Sequence, residues 1–209
     1  MIISMCKDGV DWSKILCITN RKLVQGDFLA RIEQVAQKRP RAIVLREKDL
    51  TESRYAKLAA DVVDVGRFYE VPIVLHSFVS AAESLRVSGL HLPLVSLQDL
   101  SAARRKQWQR LGTSCHSLED VRMAEALGCS YLIAGHIFAT DCKKGLPGRG
   151  VEFLREVCKS SRLPVYAIGG ITPERLPEVL AAGAQGACVM SGLMTGNRWF
   201  GEIETAAVN

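Results

Sequence analysis

Apolar residues in this chain follow two periodicities. Eight short runs, at 15–19, 42–45, 72–75, 89–92, 111–114, 131–134, 164–168 and 186–190, are each about strand length. Most are apolar at consecutive positions, the pattern of strands covered on both faces, as in a parallel sheet. Amphipathic stretches separate them. Leu29, Ile32, Val35 and Ala36 share one helical face; Tyr55, Leu58, Ala59, Val62 and Val63 share another. Ser117 has the position of an N-cap, followed by the apolar face Val121, Ala124 and Leu127 and by Gly128 where a C-cap belongs. Thr172 precedes a further helix with Pro173 at its first position and Glu174 in its first turn, ending near Gly183. Helical patterning is weakest at 80–87 and 197–208.

The strand–helix alternation runs uncut by any linker or low-complexity tract, which predicts one α/β domain over 1–209. An open doubly wound sheet and a closed (β/α)8 TIM barrel both alternate in this way. Eight strands in 209 residues favour the barrel. No glycine-rich nucleotide fingerprint follows the first run, which counts against a dinucleotide fold. A composition of 48% hydrophobic and 23% charged residues excludes intrinsic disorder and collagen-like structure.

Charge narrows the partners. The net +5 is spread along the chain and suits a small anionic substrate, while aromatics at 6% are sparse for stacking on bases, so nucleic acid is not expected. No apolar stretch approaches the 18 residues of a membrane span. The seven cysteines (Cys6, Cys17, Cys115, Cys129, Cys142, Cys158 and Cys188) are odd in number and form no CxxC pair, so reduced thiols are expected rather than disulfides or a zinc site. The N-terminal residues lack a signal-peptide pattern, and cytoplasmic localisation is expected. Apolar positions on the outer helices predict a homo-oligomer.

In a barrel, chemistry gathers at the C-terminal ends of the strands, and a phosphate site is often built after strands seven and eight. The seventh run ends in Gly169-Gly170-Ile171-Thr172-Pro173, two glycines ahead of a helix start. The eighth ends in Met190-Ser191-Gly192, another small-residue turn with a hydroxyl. The second ends in Arg46-Glu47-Lys48-Asp49, two cations facing the same mouth. The sixth ends in Gly135-His136, followed by Thr140, Asp141, Cys142, Lys143 and Lys144 and then by a glycine-rich segment, 145–150, with the look of a flexible lid. A histidine at a strand end is the natural acid–base group, since an imidazole with a pKa near 6.5 takes and gives protons at neutral pH. His76 and His116 also follow strands and are candidates for the rim; His91 alternates within the fourth run and reads as a packed residue. Cys115 and Cys142 lie at strand ends and read as structural thiols. No two histidines have metal-ligand spacing.

Several segments together resemble the thiamine phosphate synthase/TenI superfamily over almost the full chain: 45–50 (LREKDL), 89–92 (GLHL), 112–119 (GTSCHSLE), 135–145 (GHIFATDCKKG), 167–173 (AIGGITP) and 189–192 (VMSG). The resemblance implies a (β/α)8 barrel. In the synthase branch, which couples a pyrimidine diphosphate to a thiazole phosphate with magnesium, the third strand ends in Asn-Asp and a Gly-Gln-x-Asp follows the fourth. This chain has His76-Ser77 and Pro93-Leu94-Val95-Ser96 at those places, so both acidic anchors are missing. Its Gly135-His136 and the following Phe-x-Thr-Asp-Cys-Lys-Lys-Gly are similar to the TenI branch, the thiazole tautomerases.

The resemblance implies aromatisation of a thiazole carboxylate phosphate tautomer, with His136 as the catalytic acid–base group. It implies that Gly169, Gly170, Met190, Ser191 and Gly192 hold the phosphate and that Thr140, Asp141, Cys142 and Lys143 line the thiazole end. Arg46 and Lys48 are read as holding the substrate carboxylate. No metal or other cofactor is required. Synthase-type coupling and a non-catalytic regulatory role are the alternatives.

Overall fold

The computed structural model describes residues 9–140, 143, 145–196 and 198–201. Its sheet is a closed barrel of eight parallel strands in chain order: β1 (Ile15–Ile18), β2 (Ala42–Leu45), β3 (Ile73–His76), β4 (Gly89–His91), β5 (Arg110–Cys115), β6 (Tyr131–Gly135), β7 (Val165–Ile168) and β8 (Gly186–Val189). β8 closes on β1 through the register Ile15↔Ala187, Leu16↔Cys188 and Cys17↔Val189. The eight apolar runs are thus the eight strands, each within two residues of its sequence-predicted ends. The expected (β/α)8 TIM barrel is the architecture observed.

The helices outside the barrel are α1 (Phe28–Gln37), α2 (Glu52–Tyr69), α3 (Val79–Ser84), α4 (Leu94–Gln98), α5 (Ala102–Lys106), α6 (Leu118–Ala126), α7 (Gly150–Ser160), α8 (Leu176–Ala181) and α9 (Ser191–Met194). Local chemistry sets several of their ends. Ser117 Oγ accepts the Asp120 N–H at 3.1 Å, and Gly128 stands at φ +80° past the end of α6, the cap arrangement its sequence predicts. Asp27 and Thr51 cap α1 and α2 in the same way.

Strand alternation divides the core into two shells. Outward positions such as Ile43, Leu75, Leu90, Leu132 and Ala167 pack against the helices. Inward positions Leu16, Ile18, Val44, Val74, Tyr131, Ile133, Tyr166 and Cys188 fill the barrel itself. Gly112 is required here: a Cβ on it would lie 2.1 Å from the Tyr131 ring. Tyr131 reaches across the interior in the space that glycine leaves.

Two local expectations need correction. The segment after Thr172 does not enter one helix; Pro173–Arg175 form a 3-10 turn before α8, because Pro177 restarts the helix four residues after Pro173. The segment 145–150 is tied down at its far end. Arg149 N–H donates to His136 O at 2.9 Å and Gly150 N–H to Ile137 O at 2.9 Å, and a Cβ on Gly148 would strike Ile137 O at 2.4 Å.

Of the two weak helical stretches, 80–87 overlaps the short α3, while 197–208 falls mostly outside the described residues, with Arg198–Phe200 as a 3-10 turn. No helix among the described residues is long and apolar enough to cross a membrane.

Candidate functional site at the barrel mouth

A cavity of about 560 Å³ opens at the C-terminal ends of the strands, a volume suited to a small-molecule ligand. Arg46, Lys48, His136, Thr140, Lys143, Gly169, Gly170, Met190, Ser191 and Gly192 all line it, so sequence positions up to 146 apart converge on one site. Asp141 and Cys142 lie outside the described residues. His76, His91 and His116 line the same cavity, as do Ser114 and Asp120. Cys115 does not; it is buried, and burial pushes its thiol up to about 12, which removes it as a nucleophile at neutral pH.

The charged turn after β2 divides its labour. Glu47 points inward and is 2% exposed. It accepts from Thr19 Oγ1 at 2.7 Å and from the Arg21 backbone N–H at 3.0 Å, and pairs with Arg21 Nη1 at 3.1 Å. Thr19 Oγ1 in turn accepts the Arg46 N–H at 2.9 Å. Asp49 is gripped by Arg21 at 2.7 Å and Lys22 at 3.0 Å, and these cations hold its carboxyl well below the usual carboxylate range. Both acids of the turn are thereby engaged away from the cavity, leaving Arg46 and Lys48 to face it. Partial burial, then the charges of Arg46 and Lys143, lower the Lys48 pKa. That lowering marks a cluster of cations with few compensating anions.

A polar ladder occupies the floor beneath β3, β4 and β5. The His76 and His91 rings stack with centroids 5.5 Å apart. His91 Nδ1 lies 3.1 Å from Tyr131 Oη and its Nε2 lies 3.1 Å from Ser114 Oγ, while His76 Nδ1 lies 2.7 Å from Ser77 Oγ. Burial first, then neighbouring positive charge, depresses His76 to about 4 and His91 to about 3. Both are neutral imidazoles at neutral pH. His91 is therefore packed, as its alternation predicts, but it also forms part of the cavity floor, which the sequence pattern does not reveal.

The rim from β5 to β8 is held by backbone. Ile137 N–H donates to Ile168 O at 2.8 Å and Phe138 N–H to Gly169 O at 3.0 Å. The Gly135–His136 peptide is cis. Gly169 and Gly170 have φ of +102° and +63°; Cβ atoms there would lie 2.5 Å from His136 Cβ and 2.3 Å from Ala139 O. These glycines are therefore demanded first by the close approach of the β6 loop and only secondarily by space for a ligand. Arg175 Nη1 donates to Gly170 O at 2.8 Å and stacks over Phe138, clasping the same two loops. Gly192 is likewise a packing requirement, since a Cβ would meet Trp199 Nε1 at 2.7 Å.

His136 is half-buried, with Nε2 3.4 Å from Leu146 O. His116 is held twice: its N–H donates to Asp120 Oδ2 at 2.6 Å, and its ring Nδ1 lies 3.0 Å from Gly135 O. Asp120 escapes sequence reasoning because an acid in the first turn of a helix reads as a dipole partner. Its spacing of four from His116 is the one available signal.

Magnesium takes several hard oxygen ligands in near-octahedral geometry. Among the described lining residues Asp120 is the only carboxylate, and it already accepts from His116. Glu47 and Asp49 are engaged with Arg21, and no three His, Cys, Asp or Glu among the described residues are grouped to hold a metal ion. The side chains present do not fit a magnesium–diphosphate anchor at β3 and β4.

Comparison with known proteins assigns the family. The profile of the family described as thiamine monophosphate synthase matches residues 15–193. A putative thiamine-phosphate synthase 2 of Aquifex aeolicus is 32% identical over 173 residues, covering 83% of this chain and 93% of that protein. Thiamine-phosphate synthase 2 of Streptococcus pneumoniae is 30% identical over 184 residues, covering 87% of each. The solved structure of thiamine phosphate pyrophosphorylase from Pyrococcus furiosus superposes with a TM-score of 0.76 at 26% identity, covering 90% of each chain. A barrel whose eight strands all fall inside the matched span, and whose mouth gathers the residues of the shared segments, thus belongs to the thiamine monophosphate synthase/TenI superfamily.

Proposed function

We propose that this chain is a thiazole tautomerase of the TenI type, acting on a small phosphorylated thiazole by proton transfer without a metal. The observation that carries this reading is the pairing of His136 at the end of β6 with a mouth whose β3 and β4 ends present His76, Ser77 and Pro93 in place of carboxylates. Family membership supports a phosphorylated substrate in thiamine biosynthesis.

In this reading the phosphate sits among the backbone N–H groups and hydroxyl of Gly169, Gly170, Ser191 and Gly192. Arg46 and Lys48 hold the carboxylate across the cavity, with Thr140 and Lys143 beside the ring. Asp141 and Cys142 are assigned to the same end by family resemblance. The imidazole of His136 removes the proton from the ring carbon bearing the carboxylate. The released electron pair shifts round the ring and out through the exocyclic double bond, whose far carbon takes a proton. The sum is an isomerisation in which nothing is oxidised. A general acid–base group of this kind contributes about 10²–10⁴ in rate.

A second reading, coupling of a pyrimidine diphosphate to a thiazole phosphate, is favoured by the names of the relatives above, two called thiamine-phosphate synthase (one of them putative) and one thiamine phosphate pyrophosphorylase. These names back the coupling reaction more directly than they back tautomerisation. One pair of assays separates the two. We expect aromatisation of the thiazole tautomer, followed by ultraviolet absorbance, to proceed equally with magnesium and with a chelator, and to fall by about 10²–10⁴ in H136Q. Steady magnesium-dependent release of diphosphate from the two coupling substrates, with no aromatisation, would replace this reading with the synthase.

A further inference from the structure

We propose that proton transfer at this mouth is divided between two imidazoles, His136 and His116. The inference rests on the tautomerase reading and adds a second proton-carrying group to it.

The hydrogen bonds define the tautomers. A backbone carbonyl can only accept, so His116 Nδ1, 3.0 Å from Gly135 O, must carry a hydrogen. In neutral His116 the lone pair is therefore on Nε2, which has no hydrogen-bond partner among the described residues. His136 is the converse case: Nε2 faces Leu146 O at 3.4 Å, which assigns the hydrogen to Nε2 and the lone pair to Nδ1. Each ring thus keeps one nitrogen free to exchange a proton, and both rings line the same cavity.

His116 is also too well fixed for an idle surface residue. It is exposed, yet its backbone N–H is bound by Asp120 at 2.6 Å and its ring is bound to the carbonyl immediately preceding His136. The two imidazoles are consequently one peptide unit apart through that carbonyl, at the ends of adjacent strands β5 and β6. The chemistry gives such a pair a purpose. The proton leaves a ring carbon and arrives on an exocyclic carbon that is not its neighbour. With two groups, one neutral ring takes the first proton while the other, as imidazolium, delivers the second. Bond making and breaking balance as before, and solvent re-equilibrates the pair between turnovers.

Substitutions that keep the anchoring bonds test the division. Asn at 116 places an N–H donor where His Nδ1 stands and lacks the second nitrogen; Gln at 136 does the same for Nε2. Wild type, H116N and H136Q are assayed for aromatisation, for binding of the thiazole phosphate product, and for uptake of deuterium from D2O at the ring carbon of recovered substrate. We expect H116N to lose about 100-fold or more in kcat while product affinity stays within about threefold. We further expect one of the two variants to exchange the ring proton with solvent without forming product. A wild-type kcat in H116N, or failure of both variants to exchange, would overturn the division and leave His116 as a positioning residue. Absence of aromatisation by the wild type would instead overturn the tautomerase reading itself, so the two failures are distinguishable.

Discussion

The two arcs of the barrel mouth are built on different principles. From β6 to β8 the site is a matter of backbone: loops interlocked through Ile137, Phe138 and Gly169, with glycines where any side chain would collide. From β2 to β4 it is a matter of side chains: Arg46 and Lys48 above, the neutral pair His76 and His91 below, and Glu47 turned inward as a strut. The glycines of the first arc cannot change without disturbing the fold. The side chains of the second arc, and His136 at the end of β6, stand on that frame and can be exchanged. A superfamily with a common barrel and divergent chemistry is expected to vary at those side chains and to keep the glycines.

The sharpest break in that comparison is Gly170→Ala. A left-handed φ of +63° and a Cβ 2.3 Å from Ala139 O impose both backbone strain and overpacking. We expect a loss of about 3 kcal/mol in urea denaturation, together with loss of thiazole phosphate binding by calorimetry. Glu47→Gln should cost less, about 2 kcal/mol, since charge-assisted hydrogen bonds to Thr19 and Arg21 are weakened while the shape is kept. Its effect on activity should fall on KM through Arg46, with kcat preserved, because the strut serves binding and not proton transfer.

The smallest expected effect concerns pH. The folded pKa values of His76 and His91, about 4 and about 3, lie below the ordinary 6.5, so across that window the unfolded chain binds more protons. Stability is therefore full above pH 6.5 and falls as the pH drops toward 4 for His76 and 3 for His91. Each histidine contributes a slope of about 1.4 kcal/mol per pH unit. Replacing His91 by Gln should flatten the slope by about that amount in denaturant midpoints measured between pH 6 and 5; an unchanged slope would mean that the floor histidines are not held neutral.

The difference between the arcs also governs what could be read from the chain. The glycines of the first arc stand out as motifs at a strand–helix turn, but a second demand on them does not: Cβ atoms there would strike His136 Cβ and Ala139 O, contacts made only in the folded barrel. On the second arc, Arg46 and Lys48 are legible as cations at a strand end. The inward turn of Glu47 is not, because nothing local to that charged run says which acid finds Thr19 and Arg21, residues 28 and 26 positions away. Ser114 is invisible for the same reason, since its partner His91 comes from the neighbouring strand β4. Asp120 is marked only by its spacing of four from His116.

What the sequence alone determined is the barrel and the address of its chemistry. Strands covered on both faces must be apolar throughout, and eight of them alternating with amphipathic helices leave few ways to close, so the mouth and its loops follow from local pattern. What only the tertiary structure decided is the state of each group at that address. Which nitrogen of His116 carries the hydrogen, why His76 and His91 stay neutral, and which carboxylates are withdrawn from the cavity all depend on hydrogen bonds and desolvation. Those are supplied by residues that meet only when the barrel closes.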